Sequence, residues 1–405
     1  MPPLSDSSVS YDLVIIGGGC AGLSLATAIC KHAKPLAHTP HTLIIEPRTH
    51  YTDDRTWCFW EQAKKVDHSL VAKSWSSWEF SAGTERHRHN SQSGWQYHYI
   101  PSIRFYDQAE RLIAEHPKMN LLKGSRVLDV TSAASHLQVH LENGAVTAQN
   151  IIDTRIPETV QINDATLKQI FFGFEVELEN PHRFDNKALV MDDMRVDDSG
   201  FLFNYILPLG QNSILIEVTR FASDLVSPDT LREAALELVE HYYPLGDCKI
   251  IREESGVIPM GLPDQGCTHD SRWIRAGISA GAARPATGYA FRRIQNWADR
   301  CAKGILLSGQ VEGCLPDSKL LSWMDNIFLQ TIRRNPQVAP ELFLALARNV
   351  RPDSLLRFLT DSPTKRDLLA VILSLPKLPL LRSALTQLLA SGSSSTRRDE
   401  WREAV

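Results

Sequence analysis

A short apolar run at the start of the chain passes directly into a glycine turn and then into a helical pattern. Residues 11–29 are Tyr-Asp-Leu-Val-Ile-Ile-Gly-Gly-Gly-Cys-Ala-Gly-Leu-Ser-Leu-Ala-Thr-Ala-Ile, and a second apolar run, residues 42–45, ends at Glu46. This order predicts a strand, a tight turn, a helix and a second strand, which together form one βαβ unit over residues 11–46. A parallel sheet therefore begins here.

The next 100 residues favour strands over helices. Residues 51–100 are rich in Trp, Tyr, His and Ser without a helical period, so we interpret them as a β-rich insertion. Within them, the polar stretch of His87, Arg88 and His89 is expected to be a solvated loop. The pattern then predicts one helix and two strands, at residues 107–115, 121–131 and 137–142.

The middle of the chain predicts an antiparallel sheet, because four apolar segments are separated by Asn, Asp, Pro and Gly turns. These segments are residues 171–178, 188–191, 201–207 and 213–219. A helix is predicted at 231–242. From residue 317 onward the pattern is helical and broken by prolines, and residues 391–405 are expected to be a disordered tail.

The expected fold class is α/β (α+β), with three structural parts and a tail. A discontinuous cofactor domain, a β-rich substrate domain and a helical C-terminal part are consistent with the size of the chain. The expected ranges are 10–65, 101–158 and 270–315 for the cofactor domain, 66–100 and 159–269 for the substrate domain, 316–390 for the helical part, and 391–405 for the tail.

Composition narrows the partners and the compartment. A net charge of -4 gives no electrostatic footprint for nucleic acid. Seven scattered cysteines without a CxxC pair indicate reduced thiols, and residues 1–11 lack the basic and apolar regions of a secretory signal. No apolar run reaches the roughly 18 to 20 residues that span a bilayer. We therefore expect a cytoplasmic protein with at most a peripheral membrane contact. A metal site is not expected, because the sequence contains no motif of the HExxH or Cys/His kind.

Gly17, Gly19 and Gly22 form a GxGxxG at the strand-to-helix junction. Together with the intervening Cys20 and Ala21, this turn predicts a pyrophosphate site at a helix N-terminus. Glu46 lies 24 residues after Gly22, where a carboxylate accepts both ribose hydroxyls and repels a 2′-phosphate. The alternative is that these glycines serve only a tight connection.

A second group of glycines distinguishes FAD from NAD. Gly277, Gly281 and Gly288 recur after the sheet domain, as expected where a second loop approaches the ribityl chain and the flavin ring. Glycine use in two places therefore favours FAD.

Seven motifs, in this order, resemble those of the bacterial lycopene β-cyclase family. They are Arg55-Thr-Trp-Cys-Phe-Trp60, Tyr97-His-Tyr-Ile-Pro-Ser102, Phe172-Gly-Phe-Glu-Val-Glu177, Tyr205-Ile-Leu-Pro-Leu209, Leu215-Ile-Glu-Val-Thr219, Ile258-Pro-Met-Gly261 and Arg284-Pro-Ala-Thr-Gly-Tyr-Ala290. Their shared order extends across roughly residues 11 to 390. One departure is Val218, which stands where some relatives have a second acid.

The resemblance implies a fold, a cofactor and a reaction. The fold is expected to be like that of FAD-dependent hydroxylases and reductases, and the substrate is lycopene or another carotenoid with an open ψ-end. The reaction closes β-rings, giving γ-carotene and β-carotene, and requires reduced FAD, with NADPH or NADH as reductant, although no electrons are consumed overall. Pro285, Thr287, Gly288 and Tyr289 would lie against the flavin, the alternative being a simple Pro-Gly turn.

Ring closure needs a proton donor, a base and a dry site, since water would quench the cation. Glu217 is the predicted catalytic residue, because it interrupts an apolar run in a predicted strand, where burial would raise its pKa. The alternatives are a glutamate on the solvent face and a flavin N–H as the acid. Glu175 and Glu177 share one side of another strand and rank below Glu217.

Aromatic side chains are candidates for the wall of a polyene tunnel. Trp57, Phe59, Trp60 and Tyr205 would line it and stabilise a carbocation through their π faces. Ordinary core packing is the alternative for each of them.

Residues 368–382 are apolar and carry Lys377 and Arg382. Because lycopene is insoluble in water, this segment is expected either to contact the inner membrane peripherally or to form a buried helix over the core. Other enzymes of the carotenoid pathway are possible partners. Two rival functions remain, namely a polyprenyl reductase or monooxygenase on the same fold, and a carotenoid-binding flavoprotein without catalysis.

Overall fold

The predicted βαβ unit is present at the start of the fold. The computed structural model describes residues 9–33, 39–91, 93–155, 162–182, 184–244, 247–263 and 270–385. Strand β1 (Ser10–Ile16) leads through the glycine turn into helix α1 (Cys20–Ala33), and β2 (Thr42–Glu46) returns beside β1 in parallel. The prediction for residues 11–46 is confirmed.

A first sheet is built on this unit, in the order β8-β2-β1-β11-β10-β9, with β17 beside β11. β1 pairs in parallel with β2 and β11, and β11 pairs in parallel with β17, whereas β9, β10 and β11 form an antiparallel meander. The added strands are β8 (Met119–Lys123), β9 (Val127–Ser132), β10 (Leu137–Leu141), β11 (Gly144–Asp153) and β17 (Trp273–Arg275). The single strand expected over residues 121–131 is thus two strands, because Gly124 turns the chain with a φ of +69°.

The alternation of β1 places its side chains in two separate cores. Leu13 and Ile15 pack among the helices α1, α2 (Ser102–Ala114) and α4 (Phe291–Ser308), whereas Val14 and Ile16 pack against the meander. Helix α2 begins five residues before the expected start, because Pro101 ends strand β7 (Trp95–Pro101) in an extended conformation and the helix follows at once. Both faces of the sheet are therefore covered, and its apolar strands are buried.

The second large sheet has the order β16-β12-β15-β14-β13-β5-β6. Its pairs are antiparallel, except that β13 and β5 run in parallel. The strands are β5 (Ser77–Ala82), β6 (Glu85–Asn90), β12 (Leu167–Leu178), β13 (Ala188–Asp197), β14 (Gly200–Pro208), β15 (Ser213–Ala222) and β16 (Cys248–Met260). The predicted antiparallel sheet is confirmed, and helix α3 (Arg232–Tyr242) packs on one of its faces.

The polar stretch of His87, Arg88 and His89 is not the expected loop, because it lies in β6. His89 is buried and its imidazole Nε2 lies 2.6 Å from the carbonyl oxygen of Ala347. Only tertiary packing on the C-terminal helices gives this stretch a buried side. A third sheet pairs β7 (Trp95–Pro101) with β3 (Thr56–Gln62) on one side and β4 (Lys73–Trp75) on the other.

The C-terminal part is helical, as expected. Its helices are α5 (Lys319–Arg334), α6 (Ala339–Asn349), α7 (Pro352–Leu359), α8 (Lys365–Ser374) and α9 (Lys377–Leu385). Among the described residues no single helix is long and apolar enough to cross a bilayer, and the bent pair of α8 and α9, at 105°, meets that test by length and composition. The expected tail, residues 391–405, lies outside the described residues. The division into domains stays a prediction.

Candidate active site

The glycine turn before α1 leaves an open cradle at the helix N-terminus. Gly17 adopts a φ of +101°, and a Cβ on Gly22 would lie 1.9 Å from the Gly17 carbonyl oxygen, so neither position accepts a side chain. A Cβ on Gly19 would meet no described atom within 4 Å. The turn therefore leaves free space at this end of α1, of the kind in which a phosphate binds.

Glu46 lies beside this turn, at the end of β2, as predicted. Its carboxylate accepts the Gly18 N–H at 2.8 Å and the Arg48 guanidinium Nε–H at 2.8 Å. The guanidinium of Arg48 stacks over the rings of Tyr51 and Tyr106. An acid, a base and two aromatic rings thus surround the position where the spacing predicts a ribose.

The second glycine segment packs directly on the first. β17 leads into a short 3-10 helix (Gly277–Ala280), and a Cβ on Gly277 would lie 3.0 Å from the Cβ of Ala21. Gly281 follows in the left-handed region, with a φ of +76° and open space around its α-carbon. The two glycine groups predicted to contact one cofactor are therefore brought together.

The following loop, residues 284–290, is fixed by a buried ion pair. The guanidinium of Arg284 donates from Nε and Nη2 to the Asp325 carboxylate, both at 3.0 Å, and from Nη1 to the Phe358 carbonyl oxygen. Arg284 and Asp325 are 1% and 3% exposed. Since Asp325 belongs to α5 and Phe358 to α7, the loop is anchored to the C-terminal helices.

Beyond this anchor the loop turns tightly and meets β12. Pro285 begins the turn, and the Tyr289 N–H donates to the Thr287 hydroxyl at 3.3 Å. Gly288, with a φ of +70°, leaves room for the side-chain oxygen of Gln169, which would lie 3.0 Å from a Cβ there. That oxygen is buried and has no hydrogen-bond partner within the described part of the chain. A hydrocarbon has no group to satisfy it, whereas the polar edge of a flavin does.

A cavity of about 550 Å³ extends from the glycine turn to the C-terminal helices. Cys20, Ile278 and residues 287–290 form one end, the inner face of the second sheet forms a side, and Trp323, Ile372 and Leu381 lie at the other end. Most of the wall is aromatic or aliphatic, and a volume of this size is ordinary for a small-molecule site.

Three of the four predicted aromatic residues line this cavity, namely Trp57, Trp60 and Tyr205. Phe59 is not part of the lining. It points away from Trp60 by the alternation of β3 and packs against Phe291, with ring centroids 5.0 Å apart, in the core of the first sheet. The structure thus places Phe59 in ordinary core packing, which is the alternative given for each aromatic residue.

Glu217 projects from β15 into the cavity and is 7% exposed. Its Oε1 accepts the Thr219 hydroxyl at 2.7 Å. Burial, reinforced by the negative charge of Glu254, raises the pKa of the Glu217 carboxyl from its ordinary value to about 8. The raised pKa favours the protonated form of Glu217, which can donate a proton.

The structure adds a second carboxyl that the sequence analysis missed. Glu254, on β16, also lines the cavity and is 6% exposed. Its Oε2 accepts the Arg252 guanidinium at 2.5 Å and the Thr56 hydroxyl at 2.7 Å. Arg252 also pairs with Glu175 at 2.9 Å, so Glu175 takes part in this network, whereas Glu177 is exposed.

The two carboxyl groups stand on either side of a glycine in one row across the sheet. Glu217 and Glu254 are each in register with Gly173, and Tyr205 is in register with Glu217 from β14. A Cβ on Gly173 would lie 2.9 Å from the Glu217 Cβ. Tyr97 completes the wall through a 2.6 Å hydrogen bond between its hydroxyl and that of Tyr205. An alternating pattern within one strand carries no sign of such a row.

Within the described residues, the thiol of the glycine turn and the possible metal ligands offer no further reactive site. Burial raises the pKa of the Cys20 thiol to about 12, so this cysteine stays protonated and unreactive. Among residues 9–385, in the described segments, no group of three or more His, Cys, Asp or Glu side chains is placed to hold a metal ion.

The fold and the cradle define an FAD-binding fold of the FAD-dependent oxidoreductase and monooxygenase type. Two solved structures are similar to this chain. One is a geranylgeranyl bacteriochlorophyll reductase-like protein from Thermoplasma acidophilum, with a TM-score of 0.59, 14% identity, and 91% of this chain and 96% of that chain covered. The other is pqsL, a probable FAD-dependent monooxygenase from Pseudomonas aeruginosa, with a TM-score of 0.51, 13% identity, and coverage of 87% and 99%. The expected fold class is confirmed.

Within that fold, the sequence determines the family. The model of the family described as lycopene cyclase protein matches residues 12–385. A lycopene beta-cyclase from Pantoea ananas is 25% identical over 398 residues, which cover 92% of this chain and 96% of that protein. The chain belongs to the lycopene cyclase family, so the resemblance seen in its motifs is confirmed, and the family implies a lycopene-type carotenoid substrate.

Proposed function

We propose that this chain is a lycopene β-cyclase, which closes the ψ-ends of lycopene to β-rings without net redox change. The observation that supports it most is Glu217, a buried carboxyl group with a raised pKa that faces a largely apolar, aromatic cavity. An acid held in such a site protonates an alkene and protects the resulting cation from water.

The residues of the cavity supply the steps of ring closure. Glu217 donates its proton to the terminal double bond, and the folded wall brings the resulting tertiary cation against the next alkene. Trp57, Trp60 and Tyr205 line the cavity, where aromatic rings would stabilise the positive charge. Loss of a proton next to the new cationic carbon leaves the ring double bond, so one proton enters and one leaves.

FAD fits the cradle at the inner end of the cavity. Gly17, Gly19, Gly22 and Glu46 would hold its adenosine diphosphate part, and Gly277, Gly281 and Gly288, with Gln169, would hold the remainder. When bound and reduced by NADPH or NADH, FAD would supply negative charge that stabilises a cation. The aromatic loop residue Tyr289, whose hydroxyl lies 3.2 Å from the Trp60 indole Nε1, connects this end to the tunnel wall.

A C-terminal apolar face supports entry of the substrate from a lipid surface. We define it as Leu369, Ile372, Leu373, Leu378, Leu381 and Leu385, each between 44% and 74% exposed. Ile372 and Leu381 also line the cavity. We propose that this face dips into the inner membrane from the cytoplasmic side, which spares an insoluble polyene any passage through water. The buried side chains of Val371 and Leu375 keep the same helices packed on the core.

Pigment analysis tests the function. Lycopene-producing bacterial cells that express the chain should accumulate γ-carotene and β-carotene, whereas cells that express E217Q should retain lycopene. The E217Q protein should still bind FAD, as measured by its flavin absorbance. Unchanged β-carotene output from E217Q would refute the role of Glu217, whereas the absence of rings in wild-type cells would leave the chain as a carotenoid-binding flavoprotein.

The reductase and monooxygenase alternatives are favoured by the similarity in fold. They require a stoichiometric reductant, and the monooxygenase also requires oxygen. With purified protein, lycopene and catalytic amounts of reduced FAD, turnover should continue anaerobically without stoichiometric NADPH oxidation. One NADPH oxidised per product would contradict cyclase activity.

The membrane proposal has a matched pair of variants. Leu378 and Leu381 are 74% and 56% exposed on the apolar face, and Leu128 is 59% exposed on β9 of the first sheet. Sedimentation with vesicles of phosphatidylethanolamine and phosphatidylglycerol should fall for L378E/L381E and stay unchanged for L128E. Equal sedimentation of both variants would contradict this membrane contact.

A further inference from the structure

One carboxyl group of the cavity has no role in the steps above. Glu254 lies on β16, across Gly173 from Glu217, and the two carboxyl groups face the same space. The hydrogen bonds that Glu254 accepts from Arg252 and Thr56 both end on its Oε2. Its Oε1 accepts no hydrogen bond from any described residue, although the side chain is only 4% exposed.

The two carboxyl groups differ in the charge of their hydrogen-bond partners. Glu254 forms an ion pair with the guanidinium of Arg252. Glu217 has a neutral partner, the Thr219 hydroxyl, and burial keeps it protonated. An acid that is paired with a cation and an acid that has only a neutral partner are suited to the roles of base and acid.

We propose that Glu254 is the base that removes the proton after ring closure, an inference that rests on the proposed cyclase function. The O–H bond of Glu217 breaks as a C–H bond forms at the terminal alkene, and the π electrons of the next alkene form the ring-closing C–C bond. The C–H bond beside the new cationic carbon then breaks, its electron pair becomes the ring double bond, and the proton passes to Oε1 of Glu254. No electrons are gained or lost.

The two carboxyl groups must return to their resting forms before a second ring is closed. After one ring, Glu217 is a carboxylate and Glu254 is protonated, the reverse of their resting forms. Gly173 places no side chain between them, since any Cβ there would press on Glu217. Between rings Glu254 releases its proton to solvent and Glu217 takes one up from solvent, and the cavity is ready for a second ψ-end.

A matched pair of variants separates this role from the ion pair. Glu254 and Glu175 each bind Arg252, but Glu175 is not part of the cavity lining. With chemically reduced FAD and lycopene in detergent, E254Q should form rings at least about a hundredfold more slowly than wild type, as expected when a general base is removed. E175Q should stay within about threefold of wild type.

The pH dependence of ring formation provides a second measurement, which a merely structural role of Glu254 would not change. The titratable or charged groups that face Glu217 are Glu254 and Arg252 on β16, Tyr205 on β14 and Cys58 on β3. Since the charge of Glu254 helps to raise the pKa of Glu217, E254Q should shift the loss of activity at alkaline pH to lower pH. E175Q should leave that limb unchanged.

A shorter pair of side chains covers the case in which E254Q fails to fold or to bind FAD. E254D and E254N have the same size and differ in charge, and E254D should form rings at least about tenfold faster. Equal rates for E254D and E254N, or an E254Q rate within threefold of E175Q, would overturn the inference. If wild type forms no rings, the proposed function itself fails. If wild type forms them and E217Q does not, a fully active E254Q refutes only the role of Glu254.

Discussion

Replacing Glu217 by glutamine should make the protein more stable at alkaline pH. Burial and the nearby Glu254 raise the pKa of Glu217 from 4.5 to about 8 in the folded state. Between these values the folded protein holds a proton that the unfolded chain releases, so stability falls as the pH rises. Glutamine keeps the size of the side chain and can still accept the hydrogen bond of Thr219, but it does not titrate.

The size of the effect follows from the shift. One pKa unit corresponds to about 1.4 kcal/mol. The free energy of unfolding of wild type should therefore fall by about 4 kcal/mol between pH 5 and pH 9, whereas that of E217Q should not. An unfolding entropy of about 2 cal/mol/K per residue, over 405 residues, converts this to roughly 5 °C in the melting temperature.

Calorimetric melting at several pH values between 5 and 9, with FAD present, checks this prediction. The melting temperature of E217Q minus that of wild type should grow steadily through this range. E177Q is the control, because it removes the same charge from an exposed position on β12. A difference for E217Q that is the same at pH 5 and pH 9 would show that Glu217 does not titrate with a raised pKa.

Two further substitutions test the supports of the site. G173A should lower ring formation by roughly ten- to a hundredfold with unchanged flavin content, because its Cβ displaces Glu217; unchanged pigment output would show that the gap is not needed. R284M should lower the free energy of unfolding by about 3–5 kcal/mol, because it leaves Asp325 buried and unpaired. The double variant R284M/D325L should regain part of that loss in a denaturant titration, and no regain would contradict the ion-pair account.

Much of the fold could be predicted from the sequence, because its signals are local. The glycine turn, the apolar strand before it and Glu46 at the end of the next strand specify the βαβ unit within 40 residues. Glu217 could also be predicted from the sequence, since it interrupts an apolar run and alternation restricts it to one face of β15. Turns and prolines divided the antiparallel sheet and the C-terminal helices in the same way.

The rest depends on contacts between distant segments. Glu254 belongs to a charged run, Arg252-Glu-Glu-Ser255, which resembles a solvated strand until its pairing with β12 places it in the cavity. His89 is buried only because α6 packs on β6. Phe59 is next to two cavity residues in the sequence but faces another core. Local patterns identify which residue types are available, and only the pairing of strands decides which of them meet.

The central claim is that buried carboxyl groups add one proton and remove one for each ring, without electron transfer. The mass of the product formed anaerobically in D₂O from purified protein, reduced FAD and lycopene measures this directly. We expect a cyclised carotenoid that gains one deuterium for each ring and otherwise keeps the mass of lycopene. A product without deuterium, or one whose mass shows added hydrogen or oxygen, would contradict this mechanism.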